Sequence, residues 1–285
     1  MTVQSKKEKQ IIIGMDVGST FTKAIIIDPS KKKISINEKT RMETCIPIAS
    51  ASGILGKILS ENNININQVK KIMLTGTGSS QIRNKLFGIP TQKVKEITAI
   101  GIGGMHLSGS ENILIANIGT GTSFVEASRK KIKHLGGTGV GGGTLVGLSE
   151  KILPVSGYDN IMKFAKKGDL SQIDLILSDV SKTKIGILNK KITVSNFGKV
   201  LNTANSNDIA IGIVNLVYQV IGMLAVFALK STKMQKIVVT GFGSTNKTGR
   251  LILSEIGEFF GIKFEYPQDA EYATAIGAGL FSGTV

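Results

Sequence analysis

The sequence predicts an α/β fold of two lobes facing each other across a central cleft. Three observations carry this reading. An apolar run, IIIGM, leads into a glycine and hydroxyl turn, DVGSTFTK at residues 16–23, and a second apolar run follows. The same order restarts at residue 112, where NILIA leads into NIGTGTS at 117–123 and then FVEAS. A third strand, within VVTGFGSTN at 238–246, opens onto another glycine and serine turn. Open α/β sheets bind ligands beyond such strand ends, and a restarted pattern is what two lobes of one architecture produce.

Taken in order, residues 11–15, 22–28 and 33–38 read as strands, with Lys31, Lys32 and Lys33 at a solvated hairpin tip. A helix over 51–61 and a strand over 71–78 follow. GTGSSQIRNKLFG, at 76–88, reads as a turn feeding a short helix, and KVKEITAIGIGGMHLSG, at 93–109, as strand character giving way to helical spacing. After the second hairpin, GGTGVGGGTLVGLSEKIL at 136–153 leads from a glycine-rich loop into a helix. Further helices are expected over 157–167, 207–230 and 247–260, a strand over 236–241, and a small-residue segment, AIGAGLFSG, closes the chain at 275–283. The expected division is a disordered tail at 1–10, an N-terminal lobe at 11–110 and a C-terminal lobe at 111–285.

Composition narrows the function. The 285 residues include one cysteine, Cys45, which excludes a disulfide framework and a cysteine-built structural zinc or iron-sulfur site, and fits a reducing cytoplasm. Cys45 reads as a buried or inert thiol, and His106, between Met105 and Leu107, as a structural residue of a packed helix. The formal charge is +15, yet tryptophan is absent and lysine is scattered through turns and helix ends, which points to anionic small substrates and away from nucleic acid. The apolar run at 210–229 approaches the length of a membrane span. Asn215 and Gln219 interrupt it and Gly212 and Gly222 suit close packing, so it reads as a buried core helix with no membrane partner.

In both turns, glycine lets the backbone approach an anion closely, while serine and threonine hydroxyls and free N–H groups donate to phosphate oxygens. Two turns on facing lobes form a phosphate clamp. A phosphate held in this way can pass to an alcohol only with a carboxylate that orients the alcohol and accepts its proton, because a primary alcohol is a poor nucleophile at neutral pH.

These residues resemble the sugar kinase, heat-shock ATPase and actin superfamily, with its three nucleotide elements in order: DVGSTFTK, NIGTGTS and VVTGFGSTN. The resemblance implies the actin-like ATPase (ribonuclease H-like) fold. The loop GGTGVGGGTLVGL is similar to the glycine signature of type II pantothenate kinases, including the eukaryotic ones, and the likeness runs in order over about residues 11–283. That family resemblance implies phosphorylation of pantothenate with ATP and Mg2+, in a cytoplasmic homodimer. It sets ATP against Gly18, Ser19, Thr20, Phe21, Thr22, Lys23, Thr120, Gly142, Gly143, Thr144, Leu145, Val146, Tyr158, Gly243 and Ser244. It sets Asp16 near the metal and makes Glu96 the catalytic carboxylate.

The chain departs from the family in one place. Where the family has an arginine ahead of the signature glycines, this sequence has His134, which becomes the candidate acceptor-binding residue. Arginine offers a permanently charged planar fork, whereas histidine is shorter and part-charged near neutrality; Lys131 and Lys133 supply charge nearby. Three functions are compatible with these motifs: a kinase of pantothenate or of another small hydroxylated acid, an ATPase similar to the activators of 2-hydroxyacyl-CoA dehydratases, and a nucleotide-binding regulator without catalysis. The activators hold an iron-sulfur cluster through cysteines, and a cluster needs more thiolates than Cys45 provides.

Overall fold

Runs of isoleucine and valine, whose branched side chains suit a pleated surface, build the first sheet. The computed structural model describes residues 10–29, 36–180 and 193–283; Lys31, Lys32 and Lys33 and the expected tail up to residue 9 lie outside the described residues. β1 (Ile11–Val17) and β2 (Phe21–Ile27) are joined by the first glycine turn and pair antiparallel, with Asp16 opposite Lys23. β3 (Ile36–Glu43) lines the outer edge of β2 and runs well past the expected 33–38. Its charged residues suit an edge and mask the apolar alternation that would reveal a strand.

α1 (Pro47–Glu61) begins ahead of the expected residue 51, because proline at the first helical position brings the right φ and lacks only an N–H that would be unpaired anyway. β4 (Val69–Thr75) lies parallel to β1, and 76–88, expected to feed a short helix, forms only a tight turn of helix at Thr77–Gln81 before β5 (Lys85–Leu86). β6 (Ile89–Lys93) completes a sheet of order β3-β2-β1-β4-β6-β5. α2 (Glu96–Ser108) then leads to the second sheet.

The second sheet repeats the first. β7 (Asn112–Ile118), β8 (Thr122–Ser128) and β9 (Ile132–Thr138) form an antiparallel meander, as β1 to β3 do. α3 (Gly142–Ile152), α4 (Tyr158–Ala165), the small pair β10 (Leu175–Ile176) and β11 (Thr193–Ser195) with α5 (Leu177–Val180) between them, and α6 (Ser206–Lys230) follow. β12 (Ile237–Thr240) lies parallel to β7, as β4 does to β1, and after α7 (Lys247–Phe260) β13 (Phe264–Glu265) gives the order β13-β12-β7-β8-β9.

α6 is, among the described residues, the one helix long and apolar enough to cross a membrane, and 61% of its most apolar stretch is buried inside the fold. The polar residue that interrupts it has a structural partner: Asn215 donates to Oδ2 of the fully buried Asp174 at 2.7 Å. Asp174 also accepts from Thr193, Asn196 and the Phe197 N–H, which ties β11 to α6.

The closing helix α8 (Ala273–Leu280) belongs by sequence to the second lobe but packs on β1, β2 and β4 of the first. Conversely α2, which precedes residue 110, packs on β7, β8 and β9 as well as on α8. The two helices therefore cross over between the sheets, and a division at residue 110 separates neither cleanly. Small residues permit this. A Cβ on Gly277 would stand 1.8 Å from the Ala99 carbonyl oxygen, one on Gly103 1.8 Å from that of Ala273, and one on Gly14 2.3 Å from that of Ala275.

Two further sequence expectations are corrected. Cys45 is exposed, in the turn after β3, where its N–H donates to Ser50 Oγ. His106 is exposed on the last turn of α2, with its neighbours Met105 and Leu107 turned toward the interior.

Gly277→Ala is expected to lower the melting temperature, since overpacking a contact of this kind costs about 1–3 kcal/mol or more. Gly56→Ala, on α1 with nothing within 4 Å of the added carbon, is expected to raise it through about 0.4–1 kcal/mol of reduced unfolded-state entropy. Thermal unfolding of the two variants beside the wild type checks both signs, and a Gly277→Ala protein that melts with the wild type contradicts the close crossing.

Candidate active site

The two glycine and hydroxyl turns meet in the cleft. Thr120, at the tip of the β7–β8 turn, shares hydrogen bonds with Ser19 Oγ at 2.8 Å and Thr20 Oγ1 at 2.9 Å, both at the tip of the β1–β2 turn. The Gly18 N–H donates to Phe21 O, which closes the first turn tightly. Three exposed hydroxyls from opposite lobes thus converge on one point, the geometry of a clamp for a group with several acceptor oxygens. Thr22, by contrast, is fully buried and its hydroxyl bonds to Thr44, so it supports the hairpin from behind.

Behind the first turn lie its charged residues. Asp16 and Lys23 face each other across β1 and β2, and both are largely buried. Burial pushes the Asp16 carboxyl above its ordinary range, and the Lys23 ammonium draws it part of the way back. Next to Asp16 in register is Thr75 at the end of β4, whose buried Oγ1 has no partner among the described residues. Gly76 follows with φ of +84°, and any side chain there would run into Asp16 Oδ1.

The second lobe repeats this arrangement with an amide in place of the acid. Asn117 stands next to Thr240 in register, and Gly241, with φ of +81°, approaches Asn117 Oδ1 and the Ile118 carbonyl. Here the threonine hydroxyl is satisfied, since Thr240 Oγ1 donates to Asn117 Oδ1 at 3.0 Å. Asn117, Thr75 and the two glycines were missed in the sequence reading, although DVGST beside NIGTG aligns Asp16 with Asn117, and LTGTG beside VTGFG aligns Gly76 with Gly241.

The orphaned Thr75 hydroxyl and the buried Asp16 carboxyl, held above its ordinary range, stand next to each other in register in the first lobe. Among the described residues no three histidine, cysteine or acidic side chains gather into a metal cage. That donor set fits Mg2+, which is usually held by one or two carboxylates together with water and substrate phosphates.

Glu96 opens α2 with its side chain facing out of the first turn. Desolvation in the concavity around it, followed by the like charge of Asp16, holds its carboxyl above the usual carboxylate range. Glu96 and Asp16 are therefore within electrostatic reach of one another. Glu96 also lines a cavity of about 480 Å3 with Lys95, Ile97, Thr98, Lys130, Lys131, Ile132 and His134. The structure thus brings His134 to the same cavity as Glu96, and Lys133 does not line it.

On the other side of the clamp, the signature loop starts α3 against the second turn. The Gly142 N–H donates to Gly119 O and the Gly143 N–H to Thr120 O, both at 2.9 Å, and a Cβ on Gly143 would press on the Thr120 methyl group. The Thr144 hydroxyl is held by Gly141 N and Gly139 O. Leu145 is not brought to the cleft: its side chain is buried in the core and its N–H donates to Gly141 O. Val146 packs against the same core.

The third turn, at 241–245, is braced from outside the cleft. Tyr218 on α6 donates to Gly243 O at 2.7 Å, Arg250 Nε donates to Ser244 O, and Ser244 Oγ donates to Gly241 O. Gly243 and Ser244 are buried, so Ser244 offers no free hydroxyl. A row of rings runs across the cleft here: Phe242 lies 4.8 Å from Phe21 and 5.1 Å from Tyr158, and the Arg41 guanidinium sits 4.7 Å over Phe242. Burial pushes the Tyr158 hydroxyl up to about 12. Arg41 also pairs with Glu271 at 2.6 Å, and Lys39 with Asp269, so β3 is tied to the segment that precedes α8.

Comparison with known proteins finds relatives over nearly the whole chain. The chain is 29% identical to a type II pantothenate kinase of Bacillus cereus (strain ATCC 14579) over 280 residues, 94% of this chain and 97% of that one. It is 27% identical to a type II pantothenate kinase of Oceanobacillus iheyensis over 95% of this chain and 99% of the relative. Among solved structures, the activator of the 2-hydroxyisocaproyl-CoA dehydratase from Clostridium difficile, with bound ADPNP, superposes with a TM-score of 0.68 at 15% identity, covering 95% of this chain and 93% of the activator. The ethanolamine utilization protein EutJ from Carboxydothermus hydrogenoformans superposes at 0.58 with 12% identity, covering 96% and 89%. These likenesses show the actin-like ATPase fold. The Fumble family model matches residues 110–280, more than half of the chain, and the protein accordingly belongs to the Fumble family, the type II pantothenate kinase family that its glycine signature anticipated.

Proposed function

We propose that the protein transfers the γ-phosphoryl group of ATP to the primary hydroxyl of pantothenate, giving 4'-phosphopantothenate, the first step of coenzyme A biosynthesis. The observation that carries this reading is the position of Glu96: a carboxylate of raised pKa, within electrostatic reach of Asp16, that lines a cavity together with three lysines. Kinase relatives matched over nearly the whole chain support it.

Each group has a distinct part. Ser19, Thr20 and Thr120, with the N–H groups of the glycine turns, hold the phosphates, and Lys23 offsets their charge. The adenosine lies toward Tyr158 and Gly243, beyond the signature glycines Gly142 and Gly143. Asp16 would hold Mg2+, which would supply neutralisation of phosphate charge when bound. Glu96 accepts a hydrogen bond from the acceptor hydroxyl and takes its proton as the new oxygen–phosphorus bond forms and the bond from the γ-phosphorus to the β,γ-bridging oxygen breaks, releasing ADP. A carboxylate whose pKa is raised is a stronger base than an ordinary one, which suits that role. Closure of the lobes, whose hydroxyls already touch, keeps water from the γ-phosphate.

The chain acts in this reading as a cytoplasmic homodimer. Leu224 and Phe227 on α6 and Leu251 and Phe259 on α7 are exposed apolar residues that support a protein contact on the second lobe. A second reading, an ATPase that activates a partner, is favoured by the TM-score of 0.68 to a dehydratase activator, but the single Cys45 provides little for a cluster.

The decisive test is a phosphorylation screen of pantothenate, pantetheine and common sugars with purified protein, ATP and Mg2+. Phosphopantothenate formed in step with ADP is expected; ADP release without any phosphorylated acceptor contradicts the kinase reading. Lys23→Ala and Asp16→Asn are each expected to weaken ATP use with the circular dichroism spectrum unchanged, and unaltered steady-state ATP kinetics in both would remove the phosphate site from the first turn.

Glu96→Gln is expected to keep ATP binding and lose about 100- to 10,000-fold in turnover. It also carries a stability signature. Because the folded-state pKa of Glu96 lies above its unfolded value, ionising it costs the wild type stability as pH rises through that interval. The variant, which cannot ionise, should therefore melt above the wild type at neutral pH, and the gap should close as pH falls to the ordinary glutamate range. A gap that does not change with pH would contradict a raised pKa.

A further inference from the structure

Within that reading, the cavity lined by Glu96 has an excess of cations with no other carboxylate among its lining residues. Three lysines, Lys95, Lys130 and Lys131, line it with the single carboxylate of Glu96 and with His134. The ammonium groups of these lysines make no hydrogen bond or ion pair among the described residues. Arg129, next in the chain, is different: it pairs with Glu111. A cavity of about 480 Å3 is large enough for a small ligand. Unpaired like charges around such a space repel one another until an anion enters, and the +15 formal charge of the chain adds to that attraction.

Lys130 and Lys131 are also held in place. They sit in the turn between β8 and β9, where Ser128 N donates to Lys131 O at 2.9 Å and Lys131 N donates back to Ser128 O at 3.3 Å. The Ser128 hydroxyl closes the turn a second time, donating to Lys131 O and accepting from Lys131 N, each at 3.1 Å. The Arg129 to Glu111 pair anchors the turn to the start of β7. The backbone that presents the two lysines therefore loses little freedom when a ligand binds, which favours affinity.

We propose that Lys130 and Lys131 bind the anionic end of the acceptor, while its hydroxyl end lies at Glu96, so that this chain selects its acceptor by charge through a pair of ammonium groups in place of one planar guanidinium. The assignment rests on the kinase reading above and gives His134 a secondary place on the wall of the cavity. Ammonium groups are point charges without a preferred plane, whereas guanidinium matches a carboxylate in two parallel bonds. The site should consequently accept a sulfonate or phosphate end as readily as a carboxylate and discriminate against a neutral one.

The test is steady-state kinetics of Lys130→Gln/Lys131→Gln, Lys130→Arg/Lys131→Arg and His134→Ala with two acceptors, pantothenate and the neutral-ended pantetheine, with folding checked by circular dichroism and by binding of an ATP analogue. In the glutamine pair, KM for pantothenate is expected to rise about 10- to 100-fold, the loss typical of hydrogen bonds to charged groups. Its kcat, and KM for pantetheine, should stay within about twofold. The arginine pair should retain wild-type KM, and His134→Ala should change it less than the glutamine pair does.

Salt gives a second readout on the unaltered protein: KM for pantothenate should climb as KCl rises, and KM for pantetheine should remain flat. An unchanged pantothenate KM in the glutamine pair, an equal rise for both acceptors, or a larger effect of His134→Ala overturns the proposal and leaves the kinase reading intact. A wild type that phosphorylates neither acceptor overturns the kinase reading and this assignment together.

Discussion

The site depends on one contact, the crossing of α8 over α2 and β1 at glycine. Cβ atoms on Gly277 and Gly103 would fall inside the partner backbone, and Gly14 lets α8 settle directly on β1. Backbones this close leave no room for side chains to slide, so the two helices set the relation of the two sheets. β1 carries Asp16 just ahead of the first turn, α2 begins at Glu96, and β7 ends in the second turn. A shift of α8 would move all three relative to each other. Phosphoryl transfer relies on positioning and charge more than on covalent chemistry, so a rigid crossing placed behind the cleft has direct consequences in it.

The repeated sheet shows how one architecture takes on two tasks. In each lobe a strand has a polar residue one place before its end, its parallel neighbour ends in threonine, and a glycine of positive φ closes over the pair. In the second lobe the amide of Asn117 accepts from Thr240 and the arrangement is complete in itself. In the first lobe the acid Asp16 stands instead, Thr75 has no partner, and burial strains the carboxyl toward its neutral form. Such an arrangement is costly to a protein alone, and in the proposed reading a cation and phosphates would offset that cost in the first lobe.

Much of the fold was legible because it rests on local signals. Isoleucine-rich strands, glycine turns and the 3.6-residue spacing of α7 are written in short windows, and α7 starts and ends where its pattern does. The restart at residue 112 disclosed the duplication. What stayed hidden depends on distant partners: β3 is a polar edge strand, the exposure of Cys45 follows from the turn that carries it, and the crossing of α2 and α8 joins helices far apart in the chain. In the site, the glycine and hydroxyl turns were legible and their junction at Thr120 was not. Leu145 shows the opposite error, since a residue inside a binding signature can face the core. Lys130 escaped notice because a lysine in a hairpin turn is ordinarily solvated, and only its position beside Glu96 sets it apart.

In the proposed reading, the two turns deliver a γ-phosphate to an acceptor hydroxyl held by Glu96. The most direct measurement is a crystal structure of the protein with a non-hydrolysable ATP analogue, Mg2+ and pantothenate. It should place the primary hydroxyl of pantothenate within about 2.6–3.2 Å of the Glu96 carboxylate, with the γ-phosphate between the turns that carry Thr20 and Thr120. A hydroxyl directed away from Glu96, or phosphates bound outside the junction of the two turns, would contradict it.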